Sequence, residues 1–270
     1  MFDDLITILL ASYNRLAFLK ESVASCLRQA DENFDVLIVD DGSSKETRNW
    51  LKSIQSEQVR VIFQENQGVA SARQRGLEEA KGKYVCILDS DDSLVPDALM
   101  EMRSAMNKHP DTPVFYTNNC EIYPDGSQKK SRYRQFGSPQ DFLWAFMITP
   151  RVPFKHSGTL FKRDVALSMG GYDTSFPCKI DIDFMLKFLA NDYLPILIEM
   201  PLVNFNFHSD SISRNRWLGI RCWVRIICRY IPYYLVHRRV LALFCRIGFE
   251  MTKWGYERVV LARNTMFSGG

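Results

Sequence analysis

Two acidic stretches crowd carboxylates more closely than like charges tolerate unaided. Asp89-Ser90-Asp91-Asp92 places three carboxylates within four residues, directly after the apolar run Tyr84–Leu88. Such a cluster needs a cation or hydrogen-bond donors to compensate it. Mg2+ and Mn2+ accept hard oxygen ligands, typically one or two carboxylates together with substrate phosphates, so the tetrapeptide reads as a metal site for a phosphate-bearing substrate. Helix capping is the competing reading, because Asp92 or Ser93 stands just ahead of a helix opened by Pro96. Asp40-Asp41-Gly42-Ser43-Ser44 likewise ends the apolar run Val36–Val39. A carboxylate there could accept a pyrimidine N3–H, with Gly42 letting the backbone approach a base. A strand-to-helix turn with Ser44 as N-cap explains the same residues. Arg73, one turn into a helical stretch at 68–80, suits a phosphate or plain solvent. Asp181 and Asp183 open a helical stretch near 181–191 and read either as general bases or as charges favoured at a helix N-terminus.

The elements that must position these residues follow from the apolar pattern. Leu5–Ala11 is a continuous apolar run, as in a strand buried on both faces. Apolar positions at helical spacing follow over 16–29, then a strand at 36–39, a helix near 45–55, a strand at 59–63, the helix at 68–80 and a strand at 84–88. This alternation is the signature of a doubly wound, mostly parallel α/β sheet flanked by helices. Ligands in such sheets sit beyond the carboxyl ends of the strands. Ser12–Arg15, Asp40–Ser43 and Asp89–Asp92 all follow strand ends, so they are expected on one rim. Further on, a helix at 96–108, a strand at 114–123, a polar basic loop at 124–137, a helix at 139–148 and strands at 156–163 and 195–207 are expected.

In order and spacing, Ser12-Tyr13-Asn14-Arg15, Val39-Asp40-Asp41-Gly42-Ser43, Asn66-Gln67-Gly68-Val69-Ala70-Ser71-Ala72-Arg73 and Leu88-Asp89-Ser90-Asp91-Asp92 closely resemble the family 2 inverting glycosyltransferases, which have the GT-A fold. A looser resemblance continues to about residue 213. It implies a sugar transferred from a nucleotide diphosphate, UDP-sugar above all, to a saccharide or lipid-linked saccharide acceptor in surface polysaccharide synthesis, with Mn2+ or Mg2+. It places Ala11, Tyr13 and Arg15 at the nucleotide, with Tyr13 stacked on the base. Asp41, or Asp40 beside it, would hold the base edge, Asn66 and Arg73 would contact the nucleotide, Asp89 the ribose side and Asp91 the metal. Gly170-Gly171-Tyr172-Asp173 followed by Asp181-Ile182-Asp183 resembles the region that carries the base, which makes Asp181 the base and Asp183 its rival. His208 resembles a late histidine at the metal or diphosphate, although Asn206 stands where an arginine is usual. His156-Ser157-Gly158-Thr159 would face the acceptor.

Composition agrees with a globular enzyme: 46% of residues are apolar and 24% charged, which is ordinary for a soluble domain. The seven cysteines contain no CxxC and no zinc-ligand spacing, and they suit a reducing cytoplasm. No signal peptide and no spanning segment are expected. Charge is divided along the chain. Residues 1–213 carry 23 basic against 29 acidic side chains, whereas 214–246 carry eight arginines and no acid. The expectation is a catalytic domain at 1–213 and a basic, aromatic-rich helical extension at 214–270. Arg221, Arg225 and Arg229 share one face of that extension, suited to an anionic membrane surface at the inner face of the cytoplasmic membrane. Packing on the catalytic body or on another copy of the chain is the alternative, and a homo-oligomer stays open. No nucleic-acid module is present. A polyprenyl-phosphate acceptor, or a nucleotide-binding protein without turnover, are the other functional readings. A nicotinamide enzyme is disfavoured, since no G-x-G-x-x-G follows the first strand.

Overall fold

A computed structural model describes residues 4–149, 151–207, 216–236, 244–253 and 255. Its elements run β1 (Ile6–Ser12), α1 (Leu16–Leu27), β2 (Phe34–Asp41), α2 (Lys45–Lys52), β3 (Val59–Gln64), α3 (Val69–Glu79), β4 (Tyr84–Ile87), β5 (Ser93–Leu94), α4 (Ala98–Lys108), β6 (Val114–Ile122), β7 (Gln128–Lys130), α5 (Pro139–Ile148), β8 (Leu160–Lys162), α6 (Arg163–Ser168), α7 (Ile180–Ala190), β9 (Ile196–Asn206) and α8 (Arg216–Val236). The strands join in the order β3-β2-β1-β4-β8-β6-β9-β5, with β7 paired to β6. The first four are mutually parallel, as expected, and β6 and β9 are parallel to each other. The antiparallel joins come from β8, β5 and β7.

The expected α/β alternation holds, and the differences have local causes. The strand expected from 156 begins only at Leu160, because Thr159 N–H closes a turn onto His156 O at 2.9 Å and Gly158 has φ +87°. The basic loop after β6 folds back as a hairpin, Glu121 facing Lys129 in register. β5 and α6 are too short to show a period in the sequence.

Two apolar layers cover the sheet. Ile6, Ile8 and Leu10 of β1 join Val36 and Ile38 of β2 against α1 and α4. Leu9, Leu37 and Val39 face the other way, toward α3, α5 and α7. This second layer also takes in Cys222, Trp223, Ile226, Ile227 and Tyr230 of α8. The described part of the basic extension therefore buries one face in the same core as the sheet. Two of the three arginines in its row turn to the body rather than outward. Arg229 pairs with Asp183 at 2.7 Å and with Asp173 at 2.5 Å, and Arg225 donates to Ser175 Oγ at 2.6 Å. Trp217, Arg221, Val224 and Cys228 remain outward. No helix among the described residues is long and apolar enough to cross a membrane.

Candidate active site

The order β3-β2-β1-β4 reverses direction between β1 and β4, which opens a crevice at their carboxyl ends. The loops leaving these two strands carry Ser12–Arg15 and Leu88–Asp92, and they are bridged directly. Arg15 Nη1 donates to Asp91 Oδ2 at 2.6 Å. Asn14 and Arg15 both hold positive φ, 59° and 56°, which costs a non-glycine residue roughly 1–3 kcal/mol. Asn14 is held there by its neighbours, because its N–H donates to Ser43 Oγ at 2.7 Å and its Oδ1 accepts from Ser44 N at 2.8 Å. Ser44 also caps α2 by accepting from Thr47 N. Tyr13 is left half in solvent, and Ala11 lies just inside, on the α3 face of β1.

Side chains alternate across a strand, and β2 therefore separates its two terminal aspartates. Asp41 lies on the α3 face. Its oxygens accept from Gln64 Nε2 at 2.7 Å, Gln67 N at 2.9 Å and Gly68 N at 2.8 Å, which fixes the loop carrying the exposed Asn66 and the start of α3. Gly42, with φ +81°, packs against this loop so tightly that a Cβ would meet Asn66 N at 2.7 Å. Asp40 belongs to the opposite face. It is fully buried and engaged by Arg48 Nε at 2.9 Å, and Arg48 also donates to Gln64 O. Asp40, the alternative to Asp41 for the base edge, buttresses β2 and α2 from the far side of the sheet.

Asp89, Asp91 and Asp92 converge, each offering a carboxylate oxygen, and these atoms lie within 4.8 Å of one another. Arg73 of α3 pairs with Asp89. Asp92 is buried. Its Oδ1 accepts from Asn206 N at 3.1 Å, while its buried Oδ2 has no partner within hydrogen-bond distance among the described residues. Asn206 also donates from Nδ2 to Asp91 O at 2.7 Å, so the end of β9 clasps the acidic loop. Burial, reinforced by Asp89 and Asp91, pushes the Asp92 carboxyl well above the ordinary carboxylate range. Burial and Asp91 raise that of Asp89 as well, against the pull of Arg73. Helix capping, the competing reading of this motif, does not hold, since Asp97 precedes α4 and makes no side-chain cap. An all-oxygen cluster with a negative surplus and one buried, unpartnered oxygen fits a hard divalent cation.

The second half of the chain closes the site. Lys179, at φ 61°, starts α7, and the half-buried Asp181 lies in its first turn. The charge of Asp181 is felt at Arg73, Asp89 and Lys155, which puts it within electrostatic reach of the acidic loop. Asp183 points elsewhere, buried against Arg229 and 3.8 Å from Lys187 Nζ. His156 does not face outward. It is buried, its Nε2 lies 2.8 Å from Tyr172 OH, and burial with Arg73 nearby holds its pKa well below 6.5. Ser157 Oγ accepts from Asp89 N at 3.2 Å, so this segment supports the acidic loop instead. His208 lies outside the described residues. Lys155 carried no signal in the sequence and is brought in by tertiary contact alone, whereas Ser157 and Tyr172 lie in segments that the resemblance had already marked.

Sheet order, crevice and acidic loop define a GT-A glycosyltransferase. Residues 7–166 match the family described as "Glycosyl transferase family 2", and the chain belongs to it; it is a glycosyltransferase. An uncharacterized glycosyltransferase of Haemophilus influenzae is 29% identical over 212 residues, covering 77% of this chain and 70% of its own. A chondroitin synthase of Pasteurella multocida is 29% identical over 185 residues, 68% of this chain but 18% of the synthase. Among solved structures, S. aureus TarS 1–349 in complex with UDP-GlcNAc aligns over 82% of this chain and 66% of that fragment, with TM-score 0.65 and 15% identity, a likeness of fold.

Proposed function

We propose that the chain transfers a sugar from a UDP-sugar to a saccharide hydroxyl in polysaccharide synthesis, with inversion at the anomeric carbon. The observation that carries this is the convergence of Asp89, Asp91 and Asp92 with Asp181 around Arg73, from opposite halves of the chain, at the strand-order reversal. The chondroitin synthase relative and the sugar-nucleotide complex of TarS support the choice of donor and product.

In this reading Tyr13 stacks on the base, while Asp41, Asn66 and Gly42 shape the loop against which the base rests. Asp89 faces the ribose, and Arg73 holds Asp89 in place. Asp91, with Asp89 and Asp92 beside it, would hold Mn2+ or Mg2+. When bound, the cation neutralises charge gathering on the leaving diphosphate. Asp181 removes the acceptor hydroxyl proton as the new C–O bond forms and the bond to the diphosphate breaks. A single in-line displacement needs one base on the face opposite the leaving group, and Asp181, from the other half of the chain, suits that place. The outward strip of Trp217, Arg221 and Val224 on α8 is where contact with an anionic membrane carrying a lipid-linked acceptor would be made.

The test is a panel of nucleotide-sugars assayed for nucleotide release with Mn2+ or Mg2+. UDP should appear from one donor, stop with EDTA, and stop in Asp181→Asn while UDP binding persists. UDP affinity indifferent both to divalent ions and to Asp91→Asn would reject the reading.

A further inference from the structure

Lys155 sits at the rim with its charge unmatched. Its Nζ lies 3.7 Å from the ring centre of Phe205 and 5.4 Å from that of Phe207. Phe205 and Phe207 meet edge to face at 5.1 Å, and Tyr123 stacks on Phe207 at 4.8 Å with an interplanar angle of 3°. Between the two phenylalanines stands Asn206, which donates to Asp92 Oδ1 and to Asp91 O. The aromatic platform is therefore tied to the acidic loop by two hydrogen bonds, and the ammonium it carries is indexed to the same loop.

Among the described residues, Arg15 and Arg73 also face the loop, and each is engaged there, Arg15 by Asp91 and Arg73 by Asp89. Lys155 makes no ion pair with a described residue. Burial lowers its pKa, and the charges of Glu121, Asp92, Asp181 and Asp89 act against that, so it lies within electrostatic reach of the acidic loop. Aromatic faces attract an ammonium without quenching its charge, as a carboxylate partner would. A group held this way remains available to an incoming anion, and the anion that must sit beside this loop is a diphosphate.

Resting on the function proposed above, we infer that Lys155 binds the diphosphate of the nucleotide donor, and of the departing nucleotide, from the aromatic platform beside the acidic loop. Its role is to hold the terminal phosphate while the sugar leaves. The proton of the acceptor goes to Asp181, and Lys155 keeps all of its own.

Calorimetry on the full chain at fixed Mg2+ separates the outcomes, with UDP and uridine as probes. A charge-assisted contact to phosphate predicts that Lys155→Met weakens UDP about 10-fold or more and leaves uridine unchanged, while Lys155→Arg keeps most of the UDP affinity. Methionine fills the same aromatic cradle, and an unaltered melting temperature shows that the fold is intact. Equal UDP affinity in wild type and Lys155→Met overturns the inference while leaving the proposed function standing. So does a variant whose UDP affinity is normal and whose acceptor KM rises, which would give Lys155 to the acceptor. Absence of UDP binding by the wild-type chain removes the functional reading and this inference with it.

Discussion

The molecule holds two knots of aspartate and arginine built from the same residue types. At the rim, Asp89, Asp91 and Asp92 converge, with Arg15 on Asp91 and Arg73 on Asp89, and among the described residues one buried oxygen of Asp92 has no hydrogen-bond partner. Beneath α7, Asp173 and Asp183 are bridged by one guanidinium, that of Arg229, with Lys187 alongside. The first knot gathers three carboxylates on one loop and keeps Asp91 and Asp89 partly exposed at the crevice. The second is balanced, buried on its Asp183 side, and joins α8 to the catalytic body. Carboxylates gathered on one loop in a crevice suit a cation, as proposed above, whereas a matched pair between two elements is a clamp. The backbone shows the same contrast, since Asn14, Arg15 and Lys179 take up positive φ at the points where chain enters the rim.

The sharpest way to break this contrast is to exchange the fates of Asp181 and Asp183. Asp181→Asn should lower transfer by about 10³-fold, within the range for loss of a general base, with an unchanged melting temperature. Comparable transfer in the variant would dissolve the distinction. Next in size, Trp223→Ala should cost about 3–4 kcal/mol of stability by chemical denaturation, because Trp223 is 1% exposed in the layer shared by α8 and the sheet. A loss near zero would mean that α8 is not part of the folding unit. Asp183→Asn should cost about 2 kcal/mol, less than a fully buried pair, since Arg229 keeps 33% of its side chain exposed. Nucleotide affinity should not change, and a fall there would join the two knots. Smallest is the pH effect of Asp173. Burial opposes its ionisation, but hydrogen bonds from Ser175 and Arg229 outweigh that and lower its pKa from 3.8. Its contribution to stability is then fully present above the ordinary aspartate range and lost as pH falls toward the depressed value. The stability difference between wild type and Asp173→Asn should shrink on acidification below about pH 4. A difference constant with pH would show that Arg229 does not hold this carboxylate.

Much of the rim was legible in advance. Buried parallel strands end where apolar runs meet Ser12, Asp40 and Asp89, and a parallel sheet brings those ends to one side whatever the packing around it. Ser44 as a cap was readable too, because capping is local. The choice between Asp40 and Asp41 was not. Alternation says that neighbours in β2 face opposite ways, but a strand apolar on both faces does not say which face carries the site. That depended on α3 bringing Arg73 to one side and α2 bringing Arg48 to the other.

The same reasoning divides the rest of the protein. Asp181 and Asp183 stand about 200° apart around a helix, so the sequence already forbade them a shared role. Only the docking of α8, which delivers Arg229 from 46 residues away, decided which became the clamp and which stayed at the crevice. Arg221, Arg225 and Arg229 lie on one helical row by spacing alone, yet Arg221 stays outward while Arg225 reaches Ser175 and Arg229 reaches Asp173 and also Asp183 of α7. By itself the sequence determined the succession of strands, the polar ends they expose and the family to which they belong, because those follow from short-range periodicity and motif. Which carboxylates are matched and which are left for a ligand was decided by tertiary structure, because electrostatic compensation is a property of neighbours in space.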